Sequence, residues 1–256
     1  MERENTPVSE EMALEDIDEI LQKSMEEFKK ACSRHIPFVQ SSAGYIKYIP
    51  ERCFVTYFSW GLINKGFIVF NEQTVKCGEK AQKTQRFDLL ARRFAPGGGC
   101  VQIKAEAKGN LDGGYKEILA DIKRMEDFTV ASQNNKLSNS EKNWEDGRFP
   151  YRFNIILTQN WGLRELSEWW KSENKVQPKR KNSELLREAK EWVELKQKLL
   201  KAKKRGVISI LKSAPNYDYS IDVLYAIFKD TSVEHKEEIW KEVLQNAERA
   251  RKAASL

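Results

Sequence analysis

The sequence predicts a mixed α/β protein, α+β in the looser sense, with a mixed central sheet flanked by helices. Three observations predict it. Apolar residues recur at helical spacing, first at Leu14, Ile17, Ile20, Leu21, Met25 and Phe28. A glycine-rich turn, Ala95-Pro96-Gly97-Gly98-Gly99, separates two strand-like runs, as in a β-hairpin. Helix and strand patterns interleave along the whole chain, and no internal repeat is present.

The first helix runs from Leu14 to about Ser33, after a polar start containing Pro7. Pro37, Gly44 and Pro50 mark His35 to Ile49 as loop and short extended pieces. Pro50-Glu51-Arg52 opens a second helix, with the acidic residue at its positive end and Asn64-Lys65-Gly66 as its stop. Its aromatic and β-branched content also permits a strand. Gly66 to Phe70 is a strand ending on Asn71-Glu72. Arg86 to Phe94 and Cys100 to Lys108 form the hairpin, and Gly109 to Gly114 a loop. Tyr115, Ile118, Leu119, Ile122, Met125 and Phe128 mark one face of a third helix. Residues 131 to 149 are polar and aperiodic, a surface loop or insertion.

Tyr151 to Thr158 is an apolar strand, and Trp161 to about Trp170 is helical. A basic break over 171–182 precedes a long charged helix from Ser183 to about Lys204. Gly206 to Leu211 and Ile221 to Phe228 are strands, and Val233 to about Ala253 is a closing helix. The organisation expected is an N-terminal helical segment over 1–40, a core over 41–165, and a region over 166–256 packed on it. That last region holds the basic helix, further strands and the closing helix.

The bulk numbers restrict function. A chain of 256 residues with 40% hydrophobic and 11% aromatic residues buries a real core. Its net charge of +6 suits a polyanionic partner without demanding one. The cysteines Cys32, Cys53, Cys77 and Cys100 form no CxxC pair, and His35 and His235 are the only histidines, which argues against structural zinc. No run reaches the roughly 20 apolar residues of a membrane helix. The acidic, polar start does not resemble a signal peptide. An intracellular, cytoplasmic protein with free thiols and no membrane partner is expected.

The chemistry is concentrated in the hairpin. Glu106 and Lys108 lie two apart and project from one strand face, and the turn brings Asp88 beside them. Ala105 and Ala107 alternate to the other face, small enough to pack under a helix. Two carboxylates and an ammonium suit phosphodiester hydrolysis. Hard oxygen ligands hold Mg²⁺, which polarises phosphate and acidifies a bound water. A lysine positions that water or offsets charge in the transition state. The competing reading of Glu106 and Lys108 is a surface salt bridge.

Asp88, seventeen intervening residues, then Glu106-Ala107-Lys108 resembles the signature of the PD-(D/E)xK superfamily, the restriction-endonuclease-like nucleases. Phe87 stands where the family usually has proline. The order of elements over roughly residues 45–160 is also similar to that family, whereas the tail has no assignable match. The resemblance implies a restriction-endonuclease-like core with a helical C-terminal extension. It implies a metal-dependent nuclease using Mg²⁺, with Mn²⁺ able to substitute, and DNA as partner. Asp88 and Glu106 would be metal ligands and Lys108 the water-positioning group. A glutamate from the preceding helix or first strand often joins such sites, and Glu51 and Glu72 match those positions.

Lys116, Lys123 and Arg124 lie on the polar side of the third helix, either against phosphates or merely solvated. Lys201, Lys203, Lys204 and Arg205 end the densest basic region, a backbone clamp on DNA or a plain surface helix. Trp161, Trp169 and Trp170 fit core packing better than base stacking. The function expected is an endonuclease of restriction, repair or defence type. Its alternative is a catalytically silent nuclease-fold subunit that binds DNA or assists assembly. A homodimer would suit cutting two strands, and RNA stays open as a substrate.

Overall fold

A computed structural model describes residues 9–43, 49–77, 83–93, 100–126, 151–161, 164–173, 185–211 and 221–230, without side chains at 34–43, 74–77, 83–85, 185–189 and 211. The expected turn 95–99, the polar stretch 131–149 and the closing helix 233–253 lie outside these residues.

Helix α1 (Glu10–Ala43) is followed by α2 (Glu51–Asn64) and the strands β1 (Ile68–Cys77), β2 (Lys83–Arg93) and β3 (Val101–Asn110). Then come α3 (Leu111–Glu126), β4 (Tyr151–Trp161), α4 (Arg164–Lys171), α5 (Leu185–Leu200), β5 (Lys204–Leu211) and β6 (Ile221–Lys229). Among the described residues the six strands form one mixed sheet in the order β1-β2-β3-β4-β6-β5. The β3–β4 pair is parallel, with α3 between them in the chain, and the other neighbours are antiparallel. Helices cover both faces.

The two faces follow from the alternation of side chains along each strand. Leu89, Ala91, Val101, Ile103, Ala105, Ala107, Ile155 and Leu157 share one core with Ile17, Leu21 and Met25 of α1 and Phe54, Phe58 and Leu62 of α2. Ile156, Leu224 and Ala226 face the other way, into a core with Ile118 and Ile122 of α3, Trp169 and Trp170 of α4, and Trp192 of α5. Each such large side chain contributes about 1.5–3 kcal/mol of transfer free energy.

The end of α2 is set by Gly66, whose φ of 80 is open to glycine without strain. Gly66 N–H donates to Ile63 O at 2.9 Å and Phe67 N–H to Leu62 O at 3.0 Å, satisfying two terminal carbonyls. This turn sends the chain directly into β1.

Several boundaries differ from those expected. Helix α1 continues through Pro37 to Ala43. A proline removes one hydrogen bond and can bend a helix without ending it. Strand β1 reaches Cys77 rather than Phe70, because backbone pairing with β2 holds a polar edge segment that carries no apolar signal. The loop expected over 109–114 does not exist. Strand β3 runs to Asn110, whose side-chain oxygen accepts from Asp112 N–H at 3.3 Å as α3 begins. Trp161 ends β4, paired with Ile221, instead of opening a helix. Helix α5 stops at Leu200, and Lys204 already begins β5. Finally, β5 and β6 extend the central sheet rather than packing on it.

Candidate active site

Strand β3 carries the site. Its residues facing α3 are Gln102, Lys104, Glu106 and Lys108, and the first three are buried. Burying polar groups requires a partner for each. Gln102 accepts from Arg92 at 3.1 Å. Lys104 pairs with Asp230 at 2.7 Å. Glu106 pairs with Arg124 of α3. Lys108 pairs with Asp121 of α3 at 3.0 Å. Arg124 also reaches Asp121, at 2.9 Å.

Asp88 enters from β2. The β2–β3 ladder is regular from Arg93–Val101 to Leu89–Ala105, and the next positions in that register are Asp88 and Glu106. There the Asp88 side chain takes over: its Oδ2 accepts from Ala107 N–H at 2.8 Å. On the other side, the β1–β2 ladder skips the Glu72–Asp88 position, and Glu72 has a left-handed φ of 54. A non-glycine residue there is strained, and such strain clusters at functional sites.

Glu51 comes from the first turn of α2. Its carboxylate accepts from the Gly109 backbone N–H and lies in the field of Lys108 and Asp88. A β-carbon on Gly109 would sit 3.3 Å from Glu51 Oε1, so the small residue permits this approach. Glu72, expected nearer than Glu51, turns instead to Arg52 at 3.4 Å and to Arg86. Its left-handed backbone accounts for the different direction.

The electrostatics follow from crowding and burial. Burial, followed by the nearby Asp121 charge, pushes Glu106 up to about 8 against the pull of Arg124. Burial also raises Asp121 and Glu51 from their ordinary values. Burial opposes the Lys108 charge, but Asp121, with Glu106 and Asp88, outweighs it and holds Lys108 above its ordinary value. Lys108 is therefore a persistent cation rather than a base. The carboxylates Glu51, Asp88, Glu106 and Asp121 outnumber the cations Lys108 and Arg124 by two.

The structure thus brings together Asp88, Glu106, Lys108 and Glu51, but not Glu72. Asp121 carries no signal in the motif, and Arg124, which the sequence leaves either against phosphate or solvated, pairs with Glu106 and Asp121. Asp121 lies beside Ile118, Ile122 and Met125 on the buried side of α3. An acidic residue on an apolar stripe, three before an arginine, is the signal that could have found the pair. The other basic residues are dispersed. Lys116 lies over its neighbour Tyr115, 5.6 Å from the ring centroid, and Lys123 pairs with Glu194 of α5 at 2.7 Å. Lys204 pairs with Glu15 at 2.6 Å. Arg205 donates to Trp170 O at 3.2 Å, capping the end of α4, while Lys201 and Lys203 remain exposed.

No family model, curated protein or solved structure matches this chain. Among the described residues no three His, Cys, Asp or Glu side chains are already arranged to hold a metal ion. The donor chemistry nevertheless fits a hard divalent cation. Four carboxyl groups crowd together with two cations, and Arg124 bonds to two of them. Among the described residues no helix is long and apolar enough to cross a membrane.

Proposed function

We propose that this protein is a Mg²⁺-dependent nuclease acting on DNA phosphodiesters, with a restriction-endonuclease-like core over α2–β1–β2–β3–α3–β4. The observation that carries the reading is that Asp88 and Glu106 stand at facing register positions, with Lys108 two residues on and Glu51 of α2 against Gly109 near the end of that strand. The order helix, strand, hairpin, helix, parallel strand supports it further.

Asp88 and Glu106 would hold the metal, with Glu51 the next candidate. A bound Mg²⁺ supplies Lewis acidity toward phosphate and acidifies a water. Lys108, kept protonated by Asp121, faces the negative charge that grows on the phosphate and orients the attacking water. Asp88 fixes the Ala107 backbone and so the direction in which Glu106 and Lys108 point. Lys201 and Lys203, exposed beside the outer strand β5, would contact the DNA backbone.

A second reading rests on the same ion pairs. Glu106–Arg124 and Lys108–Asp121 already satisfy each other, as they would in a nuclease-fold subunit that binds DNA without cutting it. Incubation with duplex, single-stranded and branched DNA under Mg²⁺ or Mn²⁺ separates the two. The first reading requires cleavage that chelation abolishes and Glu106→Gln removes.

A further inference from the structure

We infer that Arg124 is a place-holder cation: it occupies Glu106 while no divalent ion is bound, then passes to the phosphate of the substrate. This inference rests on the metal-dependent reading above and adds a role for a helix residue that the motif does not contain.

One guanidinium nitrogen makes both ion pairs. Arg124 Nη2 reaches Glu106 Oε1 on β3 and Asp121 Oδ1 on its own helix, the latter at 2.9 Å. The two anchors differ in kind. Asp121 is three residues back on α3 and moves with Arg124, whereas Glu106 is fixed on the central strand. Breaking the Glu106 contact therefore leaves Arg124 tethered at the site.

Two further observations suit this role. The guanidinium is not fully used, because Arg124 Nε is buried without a hydrogen-bond acceptor among the described residues. An arginine presents several donors in a planar fork that matches phosphate oxygens. The side chain is also 34% exposed, while that of Glu106 is 3% exposed, so Arg124 joins a buried carboxylate to the solvent-facing side of the cluster.

The charge balance gives the direction of the exchange. Glu51, Asp88, Glu106 and Asp121 bring four carboxyl groups together with the two cations Lys108 and Arg124, so the cluster has oxygen donors to offer a divalent ion. A divalent ion would compete with the guanidinium for the Glu106 oxygen, so Arg124 must weaken metal binding. A purely structural arginine would do the opposite, because its loss would leave Glu106 unsupported and weaken metal binding.

The test uses the full chain and Mn²⁺ alone, titrated by calorimetry into wild type, Arg124→Met, Arg124→Lys and Glu106→Gln. The expected result is Mn²⁺ binding about tenfold tighter in Arg124→Met, intermediate in Arg124→Lys, and greatly weakened in Glu106→Gln. At saturating Mn²⁺, single-turnover DNA cleavage by Arg124→Met should nonetheless fall by about 10²-fold, the loss of one transition-state donor. Unchanged or weaker Mn²⁺ binding in a folded Arg124→Met overturns the inference and leaves the nuclease reading intact. Mn²⁺ binding that Glu106→Gln does not alter removes the metal reading itself. Should Arg124→Met not fold, the Nε–H resonance of Arg124 in wild type serves instead. It should shift on Mg²⁺ saturation, and a resonance that stays in place refutes the exchange.

Discussion

Arg124 on α3 donates to the Glu106 carboxyl group on β3, which is almost wholly shielded from water. Its environment is nonetheless unfavourable to charge, since burial and Asp121 raise Glu106 to about 8. The consequence for stability has a definite sign. Without metal, the native state keeps this proton from about pH 4.5 to about pH 8, while the unfolded chain releases it. Stability should therefore fall as pH rises through that window, by an amount on the order of a few kcal/mol. Urea unfolding in EDTA at several pH values checks this. Glu106→Gln should flatten the profile, and an equally steep fall in that variant would place the proton elsewhere.

Asp88→Ala, Glu106→Ala and Lys108→Ala should each remove most Mg²⁺-dependent cleavage, and their effects should be strongly non-additive because the groups act as one unit. Excess metal should partly rescue the first two. Lys108→Ala should keep metal binding and lose the chemical step. Single-turnover rates for single and double variants decide the matter, and additive losses would mean independent roles.

Asp121 is a positioning residue, since it holds Lys108 at 3.0 Å. Asp121→Asn should lower the cleavage rate about tenfold or more. It should also move the alkaline limb of the rate–pH profile to lower pH, because Asp121 opposes the deprotonation of Lys108. Unchanged rate and pH profile would make the Lys108–Asp121 pair incidental.

The pair Lys104–Asp230 lies on the same face of the sheet as Glu106, with side chains 2% and 1% exposed. Asp230→Ala removes the carboxylate paired with a buried lysine and should cost about 3–5 kcal/mol. Metal binding by the folded fraction should not change. A loss below about 1 kcal/mol in urea unfolding would show that water reaches Lys104.

The parts of the fold legible in the sequence were those with apolar periodicity. Phe54, Phe58 and Leu62 announced α2, and the alternation around Ala105 and Ala107 announced the two faces of β3. The edge portion of β1 beyond Phe70 was not legible, because backbone pairing rather than side-chain burial forms it. The site divides along the same line. Asp88, Glu106 and Lys108 lie on two antiparallel strands that follow one another in the chain, so local geometry sufficed. Asp121 and Arg124 reach the site only through the packing of α3 on the sheet, which no local pattern encodes. The choice between Glu51 and Glu72 depended on one left-handed backbone angle. The basic stretch 201–205 looks like a helix end in the sequence because charge density says nothing of partners such as Glu15 and the Trp170 carbonyl.

The claim at the centre of this account is metal-dependent hydrolysis, and a cleavage assay tests it most directly. Purified wild type, Lys108→Ala and Glu106→Gln should be incubated with duplex, single-stranded and branched DNA under Mg²⁺, Mn²⁺ or EDTA. New DNA ends are expected with wild type under either metal, none in EDTA, and little or none with either variant. A wild-type protein that binds these DNAs yet leaves every one intact under both metals would contradict it and favour the silent subunit.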